Sequence, residues 1–276
     1  MPGIIDWNEL WKATHTRGFI HHDEDLAAHW DRRAKEFNKR VMKHREKAER
    51  QVAQLGLQPH ETVLDVGAGT GRLAIPMAKI ARSVTALDQS GGMLNCLKEN
   101  MQSEGISNIQ CIQKSWQDVG LDEIPAHDVV ISSNSLGVYD LLDALVKMDR
   151  LAKRAVYIFT FTDHHRDDGF REFLMNEKRP QNAFQPAGYL MIYNLLADIG
   201  IYADIKIQDW ESREHYSSID DAVASWKTMH EIPSENEPKL REFLSKKLIE
   251  DDQGLCIHRS TKQAMISWQK SPQTTA

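Results

Sequence analysis

Apolar residues in the first part of the chain recur at helical spacing. Between residues 23 and 54 they lie three and four positions apart in a polar stretch, which predicts one long amphipathic helix or two joined helices. Residues 1–22 are aromatic and rich in histidine without a clean period, and we expect a pair of short helices there. The pattern therefore predicts a helical extension, or lid, over residues 1–54.

From residue 55 onward, short apolar runs alternate with segments of helical character. The runs predict strands at residues 62–66, 83–88, 109–113, 128–132, 155–161, 202–210 and 256–268. Helices are expected between them at residues 72–80, 92–105, 141–153 and 188–200. Because the runs lack polar alternation, both faces of the sheet should be covered. The predicted fold class is α/β, with a doubly wound, mostly parallel seven-stranded sheet and helices on both faces.

Two late segments interrupt this alternation. Residues 163–185 are polar and predict a short helical insertion. Residues 218–252 contain two amphipathic helices, at 219–230 and 238–251. The second insertion is too long for a hairpin turn, so it should lie over a face or the mouth of the sheet. We assign residues 55–276 to one domain that carries both late insertions.

The charge of the chain disfavours a polyanionic partner. The formal net charge is -6, and the basic residues between 32 and 50 are interleaved with Glu36, Glu46 and Glu49. This interleaving is typical of a solvated helix face with ion pairs one turn apart, whereas nucleic-acid binding usually needs a clustered excess of Lys and Arg. We therefore expect no nucleic-acid partner.

The cysteines and the N-terminal sequence indicate the cellular compartment. Cys96, Cys111 and Cys256 are far apart and show no CxxC spacing, so the sequence suggests neither a disulfide framework nor a zinc site. The first residues lack the pattern of a signal peptide, and there is no run of about 18 apolar residues that would span a membrane. We predict a soluble, cytoplasmic protein without a membrane partner.

A glycine-rich loop follows the first predicted strand. The strand contains Asp65 and is followed by Gly67, Gly69 and Gly71, which lack Cβ atoms and can adopt positive φ. A phosphate-binding P-loop would need Lys-Ser or Lys-Thr after the glycines, and these are missing. The dinucleotide fingerprint would need glycine where Arg72 stands. The loop therefore predicts a nucleotide-like ligand outside both classes.

A second carboxylate, Asp88, ends the next predicted strand. It stands 17 residues after Gly71, one βα excursion away, so it should face the same crevice at the carboxyl ends of the strands. A carboxylate there can accept hydrogen bonds from both hydroxyls of a ribose.

On these residues the chain resembles the class I S-adenosylmethionine-dependent methyltransferases over residues 55–162. Residues 64–71 are similar to that family's first motif, Asp88 stands where the family holds the ribose, and residues 90–94 are similar to the segment that follows. The resemblance implies S-adenosylmethionine as cofactor, S-adenosylhomocysteine as product, and in-line methyl transfer. It implies these cofactor-binding residues: Asp65, Gly67, Ala68, Gly69, Gly71, Asp88, Gln89, Met93, Ser115, Trp116 and Asn134.

The same resemblance implies positions along the cofactor. Asp65 would lie near the methionine end, where an ammonium can be its partner, and Met93 would pack on the adenine. Many members carry Asp or Asn after the third strand to bind the adenine amino group, whereas this chain has Ser115 there. Trp116 could offer a backbone amide and a stacking surface instead, and Asp118 is a third alternative. The adenine contact stays open among the three.

Two sequence motifs that are missing from this chain bear on the class of the methyl acceptor. Residues 132–140 lack the Asn/Asp-Pro-Pro-Tyr sequence typical of enzymes that methylate amino groups of adenine or glutamine, and a Pro-Cys nucleophile is also absent. With the acidic charge, this favours a small-molecule acceptor; a homodimer is left open. The competing hypotheses are a protein or tRNA methyltransferase, a non-catalytic binder of the cofactor, and an NAD-dependent oxidoreductase, which Arg72 disfavours.

A catalytic base, if the reaction needs one, should come from segments at the mouth of the sheet. No single residue is assigned, and the candidates are His21, His22, Tyr139 and His164, with His15, Asn134 and His165 as further possibilities. The two histidine pairs could bind a metal together with Asp23, Asp163 or Asp167, but adjacent residues rarely face one ion, and we predict no metal. Aromatic residues that are more typical of a core, but are also lid candidates by resemblance, are Trp7, Trp11, Phe19 and Trp30.

Overall fold

The computed structural model describes residues 4–15, 26–162, 173, 188–252 and 254–270. The described residues before the first strand form three helices: α1 (Trp7–His15), α2 (Leu26–Met42) and α3 (Arg45–Ala53). Of the two alternatives for residues 23–54, two joined helices is therefore confirmed. Among the described residues, no helix has the length and the apolar character that a membrane span requires.

The strands form one sheet of mixed direction. They are β1 (Thr62–Val66), β2 (Ser83–Asp88), β3 (Ile109–Gln113), β4 (His127–Ser133), β5 (Ala152–Phe161), β6 (Asp204–Tyr216), β7 (Ile249–Asp251) and β8 (Gly254–Gln269). Their order is β3-β2-β1-β4-β5-β8-β6, and β7 pairs antiparallel with β8. The pairs among β1 to β5 are parallel. The predicted seven-stranded α/β sheet is confirmed, and the short β7 is an addition to it.

The remaining helices within the described ranges connect these strands. They are α4 (Ala74–Ala78), α5 (Gly91–Glu104), α6 (Leu141–Leu151), α7 (Gly188–Asp198), α8 (Ile219–His230) and α9 (Glu237–Lys247). The helix predicted at 72–80 is wrong in extent, because turns occupy both of its ends. The helix predicted at 238–251 is also too long, since residues 249–251 pair with β8 as β7.

Two apolar clusters cover the two faces of the parallel strands. Val63 of β1 and Val129 of β4 belong to one cluster, whereas their neighbours Leu64 and Val130 belong to the other. Each of these four side chains is fully buried. Burial of such a side chain stabilises the fold by about 1.5–3 kcal/mol, which explains why apolar residues follow one another along these strands.

The chain divides into two compact units. The first contains Met1–Thr160, Gly188–Lys206 and Ala264–Ala276, and the second contains Phe161–Ala187 and Ile207–Gln263. The second unit has an apolar cluster of its own, which includes Tyr216, Trp226 and Phe243. The boundary predicted at residue 54 stays a prediction.

Candidate functional site

The glycine loop lies at the carboxyl end of β1 and is held against the end of β2. The amides of Gly67 and Ala68 both donate to the carbonyl oxygen of Leu87, over 2.8 and 3.0 Å. The backbone φ angles of Gly67, Gly69 and Gly71 are 73°, 57° and 87°. These values lie in the left-handed region that favours glycine, so the local conformation explains the residue type at all three positions.

The three glycines differ in what surrounds them. A Cβ atom at Gly67 would lie 2.2 Å from Cβ of Ser135, and one at Gly71 would lie 2.2 Å from Cδ1 of Leu97. At Gly69 the nearest atom is Cε1 of Phe37, at 3.9 Å. The space that glycine was expected to leave for a ligand is therefore filled by protein at Gly67 and Gly71, whereas at Gly69 no residue that the structure describes fills it.

Asp88 is tied to this loop, as the sequence predicts from its place at the end of the next strand. Its Oδ2 atom accepts a 2.8 Å hydrogen bond from the amide of Gly69, and its Oδ1 atom accepts a 2.9 Å bond from the amide of Ser90. Burial raises the pKa of Asp88, while these two amides oppose that rise. The structure thus fixes a carboxylate beside the one glycine that borders open space.

Asp65 is buried, and one of its oxygens lacks a partner. Its side chain is 2% exposed, and Oδ2 accepts no hydrogen bond from the residues that the structure describes. Burial raises the pKa of Asp65 to about 7; Arg72 opposes this rise and Asp88 adds to it. An unpartnered buried acceptor is costly unless a ligand or water satisfies it. Asp65 therefore offers a place for a cationic or hydrogen-bond-donating group.

Arg72 follows the glycine loop and is itself largely enclosed. It donates to Oε1 of Gln51 and, over 2.7 Å, to Oγ of Ser133. Burial lowers the pKa of Arg72 to about 10, and the Asp65 carboxylate opposes that fall. Its guanidinium links the loop to α3 and to the end of β4. Arg72, which stands where the dinucleotide fingerprint needs glycine, therefore has a structural role.

Helix α2 lies against the start of α5 and supplies a residue that sequence reasoning missed. Oδ1 of Asp31 accepts hydrogen bonds from Oγ of Ser90 over 2.5 Å and from the amide of Gly92 over 2.7 Å. Ser90 is the N-cap of α5, and its Oγ accepts from the amide of Met93. The carboxylate of Asp31 thus completes the cap of α5, and it does so through a tertiary contact that no local sequence pattern marks.

Aromatic residues of α2 pack over the same region. The rings of Trp30 and Phe37 meet edge to face with centroids 5.8 Å apart, and both pack against a buried cluster formed by Ala34, Met93 and Cys96. Met93 is 3% exposed. The predicted lid residue Trp30 therefore lies beside Met93, the residue expected at the adenine. Phe37 supplies the atom nearest to a Cβ built at Gly69.

The segment after β3 holds the three adenine alternatives. Ser115 precedes a short 3₁₀ turn at Trp116–Asp118. The indole of Trp116 is 6% exposed, belongs to the main apolar cluster and donates to the carbonyl of Ala144. Its stacking surface and its backbone amide, like Ser115 and Asp118, stay predictions for the adenine contact. Gln89 is half-buried, and its carbonyl accepts from the side chain of Gln113.

The segment after β4 returns to β1. Oγ of Ser135 donates to the carbonyl of Val66 over 2.6 Å and lies 2.7 Å from Oγ of Ser132. Asn134 is exposed with a φ of 55°, and its amide donates to the carbonyl of Phe159. The backbone of this segment is therefore anchored, while the side chain of Asn134 reaches solvent.

Helix α1 docks on the residues that follow. Nε1 of Trp11 donates to the carbonyl of Val138 over 2.8 Å, and the side chain of Asn8 bonds to both Asp140 and the amide of Leu142. Trp7 packs against the same apolar cluster as Trp11. Both predicted lid residues on α1 thus serve as anchors for the helix.

The candidate bases are only partly covered by the structure. Tyr139 is 53% exposed, and Nζ of Lys12 lies 5.6 Å from its ring centroid. The side chain of His15 lies outside the described part. Several further candidates fall entirely outside the described residues: Phe19, His21, His22, Asp23, Asp163, His164, His165 and Asp167.

The cap that Asp31 adds to α5 can be tested by stability. Asp31→Ala removes the acceptor of two hydrogen bonds and is expected to lower the free energy of unfolding by about 0.5–2 kcal/mol. Each kcal/mol lost should lower Tm by about 2–4 °C. The matched variant Asp31→Asn keeps an acceptor oxygen and should lose less. Calorimetric melting measures both; equal Tm values for Asp31→Ala and the unaltered chain would contradict this role.

Comparison with known proteins assigns a class to this arrangement. A model of the methyltransferase domain matches residues 63–155. An uncharacterized protein from Haemophilus influenzae strain Rd is 31% identical over 243 residues, which cover 87% of this chain and 88% of that protein. Ribosomal RNA small subunit methyltransferase A from Desulforapulum autotrophicum is 30% identical over 111 residues, 39% of each chain.

A solved structure shares the fold. It belongs to a methyltransferase candidate, BH2331 from Bacillus halodurans C-125, and has a TM-score of 0.54 at 14% identity over 80% of this chain and 98% of that chain. At this level of identity the likeness extends to the α/β architecture and no further.

Proposed function

This chain belongs to the class I S-adenosylmethionine-dependent methyltransferases, and we propose that it methylates a small molecule. It is an enzyme whose cofactor is S-adenosylmethionine. The acceptor class is argued from charge at the rim, by which we mean the loops after β1, β2, β3 and β4 together with α1.

Neutralised cations at the rim are the observation that carries the proposal. Nζ of Lys12 lies 3.0 Å from Glu9 and 3.2 Å from Asp140. Nζ of Lys114 lies 2.5 Å from Glu123. Among the described rim residues, these lysines are thus paired with carboxylates and Arg72 is turned inward. A nucleic-acid acceptor would be drawn by clustered, available Lys and Arg, so a small acceptor fits this rim better.

The residues around the crevice fit the cofactor in three respects. S-adenosylmethionine, when bound, supplies a methyl group already activated by its sulfonium. Each carboxylate oxygen has two acceptor sites, and Asp88 uses one on each oxygen for Gly69 and Ser90. The remaining acceptor sites of this carboxylate are offered to the two ribose hydroxyls. The open space at Gly69 lets the backbone approach, and the aromatic residues of α2 shield the adenosine half from water.

In this proposal Asp65 binds the methionine end of the cofactor. Its unpartnered Oδ2 can accept a hydrogen bond from the ammonium of the methionine moiety, directly or through water. The acceptor molecule is then positioned for in-line attack by the rim, where orientation supplies most of the rate.

The pairing of Asp65 with an ammonium predicts a pH dependence of binding. The pKa of Asp65 is about 7 in the free protein, so near pH 6 the carboxyl is mainly protonated. A cation beside it lowers that pKa, so binding releases a proton and affinity rises as the pH increases from about 5 to 7. Titration calorimetry near pH 6, in two buffers of different ionisation enthalpy, counts the proton.

Asp65→Asn is the matched variant for this measurement. It keeps the size of the side chain but has no proton to release, so its binding heats should be equal in the two buffers. Proton release that persists in Asp65→Asn, or that is missing in the unaltered chain, would contradict the pairing.

The acceptor class is tested with the full chain and S-adenosylmethionine carrying a labelled methyl group. The label is followed into three separate fractions of a cell extract: small metabolites, total RNA and protein. Transfer to the metabolite fraction supports the proposal, and Asp88→Ala serves as the control for background. Transfer confined to RNA would instead favour the class of the ribosomal RNA relative. Transfer confined to protein, or to no fraction, would equally overturn a small acceptor.

A further inference from the structure

Three potential metal ligands meet in the second compact unit, although the sequence shows no metal-binding spacing. They are His215 at the end of β6, Asp251 in β7 and Cys256 in β8. Their ligand atoms all lie within 4.8 Å of one another. The β7–β8 pairing opposes Asp251 to Gly254 and Ile249 to Cys256, which puts Asp251 and Cys256 on the same face of the hairpin.

The spacing of the donor atoms matches one coordination shell. Nε2 of His215 lies 3.0 and 3.1 Å from the two oxygens of Asp251, and Sγ of Cys256 lies 3.3 Å from Oδ2 of Asp251. In a tetrahedral zinc site with bonds of about 2.0–2.3 Å, neighbouring ligand atoms are about 3.3–3.7 Å apart. Small shifts would therefore bring the three donors around one ion.

The chemistry of the donors selects the metal. A thiolate, an imidazole and a carboxylate together suit Zn²⁺, which accepts all three, better than Mg²⁺ or Ca²⁺, which prefer oxygen. One thiolate and one carboxylate also neutralise the charge of the ion. Cys256 is fully buried, while the side chains of His215 and Asp251 are 23% and 21% exposed, so water can reach the fourth position.

A neighbouring cation supports the shell from outside. Nη1 of Arg213 lies 3.6 Å from Oδ2 of Asp251, and the Arg213 side chain is 61% exposed. In the metal-free protein this guanidinium shares the carboxylate with His215. With metal bound, it can orient the same carboxylate as an outer hydrogen-bond donor.

From this geometry we infer that His215, Asp251 and Cys256 form a Zn²⁺ site that ties β6 to the β7–β8 hairpin. A water molecule is the fourth ligand. Three ligands on three strands give the ion a structural effect on the second unit, because its binding energy is available only when those strands are assembled.

Cobalt is the probe for this site, since Co²⁺ takes the same ligands and reports a thiolate bond by a charge-transfer absorption band. The full chain, first treated with a chelator, is titrated with Co²⁺. The expected result is a saturable thiolate-to-cobalt band that Zn²⁺ abolishes by displacement. Zn²⁺ at about 100 times its Kd should also raise Tm by roughly 5–10 °C.

Variants assign the band to these residues. Cys256→Ser should remove the band, whereas Cys111→Ser, which alters a partly exposed cysteine of β3, should keep it. His215→Gln should weaken cobalt binding more than the 10–100-fold that is typical of outer-shell changes. Circular dichroism and a cooperative melting transition of each variant check that it is folded.

Two results would overturn the site. One is a chelator-treated chain that gives no thiolate band with Co²⁺. The other is a band that persists in a folded Cys256→Ser variant or that disappears in Cys111→Ser.

Discussion

Asp88→Ala is expected to weaken the binding of S-adenosylhomocysteine by roughly 100-fold or more. The substitution removes the acceptor that we propose for two ribose hydroxyls, and a hydrogen bond to a charged group contributes about 1.5–3 kcal/mol. It also removes the partner of the Gly69 and Ser90 amides, so the loop keeps only its backbone bonds to Leu87 at the end of β2. Titration calorimetry with the product measures the loss without turnover.

The isosteric variant Asp88→Asn separates charge from shape. Its amide oxygen keeps one acceptor, while its NH₂ group cannot accept from a hydroxyl or from a backbone amide. We expect an affinity between those of Asp88→Ala and the unaltered chain. Melting curves establish that both variants are folded. Unchanged affinity in a folded Asp88→Ala protein would remove Asp88 from the cofactor site.

Gly67→Ala is expected to lose mainly stability and Gly69→Ala mainly product affinity, although both residues have a positive φ. At Gly67 the new methyl group would lie 2.2 Å from Cβ of Ser135, so overpacking of about 1–3 kcal/mol adds to about 1–2 kcal/mol of backbone strain. At Gly69 the methyl group meets no atom closer than 3.9 Å, so strain alone affects the fold. That methyl group instead occupies the space that Phe37 borders.

Two measurements resolve this pair. Urea unfolding should show the larger loss of stability in Gly67→Ala, and calorimetry should show the larger loss of product affinity, relative to stability, in Gly69→Ala. Equal losses of stability at the two positions would contradict the packing difference between them. Full affinity in Gly69→Ala would show that the ligand does not approach this glycine.

Much of the sheet could be predicted because its strands are buried on both faces. Residues such as Val63 and Leu64 face opposite clusters, so apolarity runs unbroken along the strand and marks its position. The ends of elements were less predictable. Residues 249–251 follow a helical pattern, and only their pairing with β8 makes them a strand. Such long-range pairing leaves little trace in a local pattern.

The site was predictable in chemistry and less so in contacts. The spacing of Gly67, Gly69 and Gly71 and the place of Asp88 predicted that the loop and this carboxylate meet, but not that Ser135 and Leu97 fill the space beside two of the glycines. Those partners come from segments far away in the sequence.

Residues that act through tertiary contact were missed for the same reason. Asp31 became a cap only when α2 packed on α5. The cluster of His215, Asp251 and Cys256 depends on three strands that meet in the folded unit. A ligand set without a short repeat such as CxxC has no signature that sequence spacing can show.

The most direct test of the cofactor site is a calorimetric titration of the full chain with S-adenosylmethionine, S-adenosylhomocysteine and NAD⁺ in parallel. The loop, Asp88 and Asp65 predict saturable binding of the first two, with no binding of NAD⁺, and loss of that binding in Asp88→Ala. Binding of NAD⁺ by a folded chain that ignores both S-adenosyl compounds would contradict the account.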